Sequence, residues 1–532
     1  MKARSTRKPN TASRHNKIVS GTEAINKIKD GATVATGGFC GAGFAEDLAI
    51  YLEDRFVNSK EPKNLTLLYC AGQGDYQTRG LNHLGYIGLV KKVIGGFFGA
   101  APKLVELVIH NKIQAYNFPQ GVISHMLRDI AAHKPRTITS VGLNTFVDPR
   151  REGGKANTIT KDDLVELITF DDKEYLAYKT FPIDVALLRG TTADENGNVT
   201  MEKEALTLET QAMAMATKNS GGIVIVQVEG IASAGSLKPK EVKIPGILVD
   251  YVVVARPENH WQTFAEKYDP ALSGERKIPV ASLPKMEMNA RKIVARRAAQ
   301  ELKPGQVVNL GIGMPEGISN IANEEEILDQ ITLTAEPGII GGLPCGGLSF
   351  GAGINPDAII DQPSQFDFYH GGGLDMAFLG LAQVDQEGNL NVSKFGIKMS
   401  GAGGFIDITQ NAKQVVFTGT FTAGKLSVSI QNGQLSIDQE GENHKFPKQV
   451  EQVTFSALNA INSGQPVLYI TERCVFTLGE KGLILSEIAP GIDLEKDILA
   501  RMEFKPEISA SLKLMDPILF QNEVMGLKKK FG

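Results

Sequence analysis

Glu336 is the residue of this sequence whose type and position most clearly suggest chemistry. It lies in TLTAEPGIIGG, residues 332–342, where a short β-prone run ends in a single acid before proline and glycines. Pro337 disfavours the α region for Glu336, and open α/β sheets bind ligands where their strands end. The segment therefore predicts an extended Glu336 at a strand end. An exposed type II turn, which E-P-G also suits, is the alternative.

A carboxylate without a neighbouring acid, histidine or cysteine suits nucleophilic catalysis. With an ordinary pKa of about 4.3 it is ionised at pH 7 and needs no activating base. Its attack on an activated acyl group, such as a thioester, forms a covalent intermediate. The resulting oxyanion requires preorganised donors such as glycine N–H groups or a side-chain amide. We therefore expect Glu336 in a narrow, mostly apolar pocket that excludes water.

Glycine-rich loops are the candidates for those donors. GGFCGAG (37–43) and GIGMPEG (311–317) each join a β-rich run to a helical pattern, and YHGGGLD (369–375) and SGAGGF (400–405) are further clusters. A strand, a glycine loop and a helix in succession can present N–H groups to an anion. The first two loops do not match the G-x-G-x-x-G of nicotinamide-dependent oxidoreductases, which argues against that class. Close packing without a ligand is the alternative.

Composition argues against several other functions. A net charge of −4 with 22% charged residues gives no basic field for nucleic acid, and no run of 18 apolar residues could span a membrane. The four cysteines lack C-x-x-C spacing and the eight histidines lack H-E-x-x-H, so neither a disulfide nor a metal site is predicted. These features predict a soluble cytoplasmic protein.

The chain contains two related halves. Residues 184–202 align without gaps at an offset of 191, beginning at Asp375, and residues 28–43 align with 302–317. Self-similarity of this extent predicts two α/β domains of common ancestry, with mostly parallel sheets covered on both faces. Asn432-Gly433 between two alternating runs predicts a type I′ hairpin, a small β-hairpin ornament in the second half.

Four segments follow from these patterns. Residues 1–17 form a basic tail, predicted to be disordered, with a transit peptide as the alternative. The first α/β domain spans residues 18–270. Residues 271–290, rich in Pro, Ser and Lys, form a linker, and residues 291–532 form the second domain, which carries Glu336.

From about residue 18 to about 520 the chain resembles the family I coenzyme A transferases, in which an α-type and a β-type domain are fused. It is most similar to the short-chain acetate or propionate CoA-transferases of bacteria. The β-type motif, E-x-G followed by I/L-x-G, corresponds to Glu336, Gly338 and IIGG, and residues 471–499 are typical of this branch. The resemblance implies two related open α/β domains of the family I CoA-transferase fold.

The resemblance implies a role for each site residue. Glu336 is the catalytic nucleophile, which carries first the acyl group and then coenzyme A. Gln120 of FPQG and Gly372 of a G-G-x-x-D segment form the oxyanion hole. In the first half, Tyr69 or Cys70 falls roughly opposite Glu336. The residues implied to bind coenzyme A are Gly311, Gly313, Met314, Gly371, Gly373 and Lys398.

The implied activity is transfer of coenzyme A between a short-chain acyl-CoA and a free carboxylate such as acetate, by ping-pong chemistry through a glutamyl-CoA thioester. It needs no metal or cofactor beyond coenzyme A as co-substrate and no nucleic-acid or membrane partner, and it implies a homodimer or homotetramer. Ala45 replaces the proline of the α-type signature, and A-E-P-G replaces S-E-N-G, so the preferred acid stays open. The alternatives are a sugar-phosphate isomerase or deaminase of similar fold and a non-catalytic coenzyme A-binding protein.

Overall fold

The computed structural model describes residues 17–279 and 285–531. The predicted tail lies outside these residues except for Lys17, as does part of the predicted linker. Within the described residues the α-helices are α1 Gly21–Ile25, α2 Glu46–Ser59, α3 Pro102–Ile109, α4 Gln120–Ala131, α5 Thr210–Asn219, α6 Ala290–Ala299, α7 Gly317–Glu324, α8 Gln362–His370, α9 Phe405–Asn411, α10 Ala457–Ser463 and α11 Leu527–Phe531.

The first half is built on a seven-stranded sheet. Its strands are β1 Thr33–Thr36, β2 Leu65–Tyr69, β3 Val90–Gly95, β4 Gln114–Asn117, β5 Val185–Arg189, β6 Ile223–Val228 and β7 Tyr251–Val254. They lie in the order β7-β6-β5-β1-β2-β3-β4, and every neighbouring pair is parallel. All carboxyl ends therefore meet at one edge.

The second half contains a ten-stranded sheet. Its strands are β8 Val307–Leu310, β9 Thr332–Ala335, β10 Ile339–Ile340, β11 Ala358–Ile359, β12 Met376–Gly380, β13 Val415–Thr418, β14 Val467–Ile470, β15 Cys474–Gly479, β16 Gly482–Ile488 and β17 Glu507–Leu514. They lie in the order β11-β10-β9-β8-β12-β13-β14-β15-β16-β17. The segment from β9 to β14 is parallel, so the chain repeats the central arrangement of the first half.

Smaller sheets decorate both halves. The predicted ornament is confirmed, because Ser427–Gln431 pairs with Gln434–Gln439 and both turn residues, Asn432 and Gly433, have positive φ, as a type I′ turn requires. The remaining short strands of the first half are Arg136–Thr139, Val165–Phe170, Lys173–Lys179, Thr192–Asp194, Val199–Thr200, Gly230–Ala232 and Val242–Ile244. Those of the second half are Leu343–Pro344, Gly353–Ile354, Gln383–Val384, Leu390–Asn391, Lys394–Phe395, Lys398–Met399, Thr422–Ala423 and Asn443–His444.

The duplication is visible at single hydrogen bonds. The Thr33 N–H donates to Asp184 Oδ2 at 2.8 Å, and the Val307 N–H donates to Asp375 Oδ2 at the same distance. Each aspartate precedes a central strand, β5 or β12, and ties it to the start of the neighbouring strand. The two sequence alignments pair Thr33 with Val307 and Asp184 with Asp375, so these two hydrogen bonds are equivalent in the two halves. Their equivalence confirms two related α/β halves.

Each parallel sheet is covered by helices. In the first half, α4 and α5 contribute to one buried apolar cluster and α1, α2 and α3 to another. In the second half, α6 and α7 contribute to one cluster and α8, α9 and α10 to another. Two helical layers on a parallel sheet are what its apolar strands require.

The SGAGGF loop of the second half is hydrogen-bonded to the first half. The Gly403 N–H donates to the Gly96 carbonyl at 2.7 Å and the Gln120 N–H donates to the Gly403 carbonyl at 3.0 Å. The Asn117 side chain accepts from the Ala402 N–H at 2.9 Å. Gly96, Asn117 and Gln120 all follow carboxyl ends of strands or stand at them. These bonds hold the SGAGGF loop of the second half against the carboxyl edge of the first sheet.

Candidate active site

Glu336 follows β9 directly, as predicted, and lies inside a tight reversal of the chain. The Gly338 N–H donates to the Ala335 carbonyl at 3.1 Å. Gly338 has φ +122, and a Cβ there would lie 2.0 Å from the Ile360 carbonyl oxygen, so only glycine fits. Glycine at this position lets the chain turn back along β10 and leaves the Glu336 side chain at the strand end.

The Glu336 carboxyl group faces a small cavity of about 130 Å³ between the halves. The cavity wall is mostly apolar and aromatic. Its larger apolar side chains are Phe39 and Phe97 from the first half and Ile312, Phe350, Leu379 and Phe405 from the second. Glu336 is therefore in a turn, as the alternative for this segment supposed, but its side chain lines the cavity instead of the exposed surface.

The expectation of an ordinary pKa for Glu336 is wrong as well. The pKa of Glu336 is raised to about 8, because burial and, to a smaller extent, the charge of Asp407 raise it more than a hydrogen bond with Gln120 lowers it. Removal from water disfavours the charged form of a carboxyl group. The local sequence contains no sign of this environment, because the apolar wall comes from segments distant along the chain.

Asp407 is a second buried acid near the site. It is fully buried, accepts from the Gly121 N–H at 3.1 Å and is hydrogen-bonded to His370 Nε2 at 2.8 Å. Gly121 is the second residue of α4, directly after Gln120. Asp407, in the first turn of α9, therefore connects the second half to the helix that carries Gln120.

Gln120 lies at the start of α4 and in the wall of the cavity, next to Glu336. Its side chain is 1% exposed and hydrogen-bonds to Glu336. The amide is therefore a fixed donor next to the carboxyl group.

The structure places Gly371, Gly372 and Gly373 away from Glu336, which corrects the predicted roles of these glycines. They follow the end of α8 and precede β12, whereas Leu379, near the other end of β12, lines the cavity. From Leu374 to Leu379 the strand advances roughly 16 Å at ~3.3 Å per residue. The triple glycine ends a helix at the amino edge of the sheet and cannot reach an oxyanion at the carboxyl edge.

Gly404 is the glycine whose backbone lies against the Glu336 carboxyl group. A Cβ on Gly404 would lie 2.3 Å from Glu336 Oε2, so the backbone is in contact with the carboxyl group. Gly403 and Ala402 also line the cavity. The loop SGAGGF had been recognised in the sequence as a glycine cluster, but nothing in its spacing distinguished it from YHGGGLD.

The residues predicted to bind coenzyme A fall into two groups. Gly311 lines the cavity directly. Gly313, whose carbonyl accepts from Arg291 at 2.8 Å, and Met314 continue the same loop away from it. Lys398 is exposed on the short hairpin just before SGAGGF. Gly313, Met314 and Lys398 lie outside the cavity wall. Their binding to more distant parts of coenzyme A remains a prediction.

Sequence reasoning missed Asp407, and it did not assign the aromatic side chains of the glycine loops, Phe39 and Phe405, to the wall of the pocket. Among the described residues, no cluster of histidine, cysteine or acidic side chains could hold a metal ion, and the four cysteines are free. In the same part of the chain, no helix is long and apolar enough to cross a membrane.

The raised pKa of Glu336 predicts a pH-dependent cost to stability. Between about 4.5, the value for an exposed glutamate, and about 8, the folded protein holds a proton that the unfolded chain releases. Stability therefore falls as pH rises through this window. Glu336→Gln removes the effect, so its melting temperature should exceed that of the wild type increasingly from pH 5 to pH 8, by roughly 5 °C at the upper end.

Differential scanning calorimetry at several pH values measures this difference. Glu480→Gln, at an exposed position, serves as the matched control and should track the wild type. A constant offset between Glu336→Gln and wild type from pH 5 to pH 8 would contradict a raised pKa.

Comparisons with known proteins agree with the fold. The family model described as Coenzyme A transferase matches residues 18–255 and 291–492. The caffeate CoA-transferase of Acetobacterium woodii is 50% identical and the match covers 97% of this chain and 99% of that protein. The acetate CoA-transferase YdiF of Escherichia coli (strain K12) is 46% identical over 96% of both chains.

A solved structure is equally similar. The acyl-CoA transferase YdiF from E. coli O157:H7, in its thioester complex with CoA, has a TM-score of 0.92 and 45% identity, covering 96% of this chain and 98% of that chain. The fold, the duplicated halves and the near full-length similarity lead to one conclusion: this chain belongs to the coenzyme A transferase family.

Proposed function

We propose that this enzyme transfers coenzyme A between a short-chain acyl-CoA and a free carboxylate such as acetate, through a glutamyl-CoA thioester on Glu336. One observation carries the proposal. Glu336 is a single carboxyl group in an apolar cavity between the two halves, beside the Gln120 amide and the Gly404 backbone. The relatives include both an acetate and a caffeate CoA-transferase, and the size of the cavity favours the short acid.

The reaction begins with attack of a Glu336 oxygen on the thioester carbonyl carbon. The carbon–sulfur bond breaks, coenzyme A leaves as a thiolate, and a mixed anhydride remains. The thiolate then attacks the glutamyl carbonyl, which forms the enzyme thioester and releases the donor's acid. An incoming carboxylate reverses these steps. The thioester energy is conserved throughout, so no external energy source is needed.

Removal of Glu336 from water serves this chemistry in two ways. A carboxylate without its hydration shell presents its lone pairs directly to the carbonyl carbon, and the higher pKa corresponds to a more basic attacking oxygen. The same dry cavity protects the anhydride and the thioester from hydrolysis. Because the pKa of Glu336 is raised to about 8, the carboxyl group must lose a proton near neutral pH before it can attack.

Gln120 and Gly404 are the proposed oxyanion donors. The Gln120 amide already hydrogen-bonds to Glu336, and the Gly404 backbone is in contact with Glu336 Oε2. Donors held in place before the reaction cost no reorganisation when charge develops. Gly404 thus replaces Gly372 as the proposed backbone donor.

The size of the cavity supports a short acyl group. At about 130 Å³ it is smaller than the ~300 Å³ at which sites for drug-sized ligands begin. An acetyl or propionyl group fits such a space more readily than an aromatic acid. The isomerase and non-catalytic alternatives receive no support from the family match or from the relatives.

Location and assembly belong to the same proposal. Four free cysteines are compatible with a reducing compartment, and we propose the cytoplasm. Assembly of the enzyme into a homodimer or homotetramer remains a prediction.

Borohydride reduction tests the covalent intermediate. After incubation with acetyl-CoA or propionyl-CoA, the glutamyl thioester should be reduced to an alcohol, and peptide mass spectrometry should locate the change at Glu336 alone. Without acyl-CoA, or in Glu336→Gln, the peptide should be unmodified. Turnover by the wild-type enzyme without a modified Glu336 would refute the proposed intermediate.

An acid panel tests the substrate class. With acetyl-CoA as donor, kcat/KM for propionate and butyrate should exceed that for caffeate by at least about tenfold, since one methylene in a fitted pocket changes discrimination by ~10–200-fold. Glu336→Gln provides the background rate. A preference for caffeate would show that the cavity expands for an aromatic acid.

Two glycine substitutions test the position of the backbone donor. Gly404→Ala places a methyl group 2.3 Å from Glu336 Oε2, so the carboxyl group must move away from the backbone donor, and we expect kcat to fall by about 10²-fold or more, a loss of the size that removal of one oxyanion donor causes. Gly372→Ala strains a residue at φ +80 at about 1 kcal/mol of stability but should leave kcat close to that of the wild type. The reverse ranking would restore Gly372 as the donor.

A further inference from the structure

A chain of buried amide and carboxyl groups continues from the active site into the first half. Gln120 Nε2 donates to Gln362 Oε1 at 3.2 Å, and Gln362 Nε2 donates to Glu209 Oε2 at 3.0 Å. Each of the three side chains is at most 1% exposed. The Gln362 N–H also donates to the Leu208 carbonyl at 3.0 Å, which fixes α8 against the segment that carries Glu209.

The duplication explains where Gln362 comes from. Gln120 is the first residue of α4, the helix after edge strand β4, and Gln362 is the first residue of α8, the helix after edge strand β11. The two glutamines therefore hold equivalent places in the two halves, and their side chains meet across the interface.

The other members of the site have counterparts too. Cys70 follows β2 as Glu336 follows β9, and Glu209 is the N-cap of α5 as Gly404 is the N-cap of α9. The Cys70 thiol hydrogen-bonds to Glu209. Cys70, Gln362 and Glu209 together form a second constellation, related to the active site by the duplication, in which the acid has moved to the helix cap. We call it the duplicate site.

Hydrogen-bond directions within the chain determine the orientation of the Gln120 amide. Glu209 Oε2 accepts, so Gln362 must turn its Nε2 toward Glu209 and its Oε1 toward Gln120. Gln120 must then present Nε2, and the second hydrogen of that group is available for Glu336. Burial raises the pKa of Glu209 to about 8, but a proton on Oε1 leaves Oε2 an acceptor.

We infer that the duplicate site persists as part of the catalytic machinery, with Gln362 and Glu209 as positioning residues that keep the Gln120 N–H directed at the reacting group. Without them, the two ends of the Gln120 amide have similar shape and could exchange places. A Gln120 carbonyl directed at the oxyanion would repel it. The inference rests on the proposed function, since it concerns the donor for that reaction.

Gln362→Met removes the acceptor for Gln120 at nearly constant volume, and Glu209→Leu removes the acceptor for Gln362. We expect each to slow formation of the Glu336 thioester by ~10–100-fold, part of the ~10²–10³ contributed by one oxyanion donor, with little change in KM for acyl-CoA. Because the residues act in series, the double variant should be no slower than Gln362→Met. Gln362→Glu keeps an acceptor facing Gln120 and should retain most of the rate.

Rapid-quench mass spectrometry of the thioester peptide measures these rates. Thr217→Val, a buried substitution on α5 at a hydroxyl without a hydrogen-bond partner among the described residues, is the control and should match the wild type. Wild-type rates in Gln362→Met and Glu209→Leu, or losses that multiply in the double variant, would overturn the inference. If Gln362→Met fails to fold, a comparison of the rate of thioester formation in Glu209→Leu with that in Gln362→Glu gives the same test. Absence of a thioester in the wild type would instead refute the proposed function.

Discussion

The structure depends on keeping one carboxyl group out of water without giving it a cationic partner. Among the described residues Glu336 has no ion pair, and its surroundings are aromatic rings, a neutral amide and glycine backbone, with the buried acid Asp407 close by. Such an environment penalises the charged form, so it must be imposed by the rest of the fold. The two halves impose this environment together, because each contributes part of the cavity wall and neither encloses the cavity alone.

Duplication gave the protein two sheets with equivalent carboxyl edges. At the interface between the halves, equivalent positions of these two edges carry different residues. In the second half the acid stands at the strand end and a glycine at the helix cap; in the first half Cys70 stands at the strand end and Glu209 at the cap. A carboxylate at both strand ends would bring two buried charges close together at high cost. The observed arrangement keeps a single acid at a strand end, and in the proposed mechanism the equivalent positions of the first half hold the Gln120 donor in place.

Glycine has two separate uses at this interface. At Gly338 it permits a turn that would otherwise collide with the Ile360 carbonyl, and at Gly404 it permits contact between backbone and carboxyl group. Both are close approaches that any Cβ would prevent. The triple glycine at 371–373, more conspicuous in the sequence, ends α8 and has no part in the cavity.

What the sequence by itself determined was local. Periodicity and the 191-residue offset identified the α/β halves, E-P-G placed Glu336 at a strand end, and the family motif identified Gln120. The tertiary structure alone decided which glycine loop reaches Glu336, that Asp407 and Glu209 lie buried nearby, and that the pKa of Glu336 is about 8. The reason is physical: strand ends and turns depend on neighbouring residues, whereas desolvation and cross-interface hydrogen bonds depend on groups hundreds of positions apart that meet only after both halves have folded.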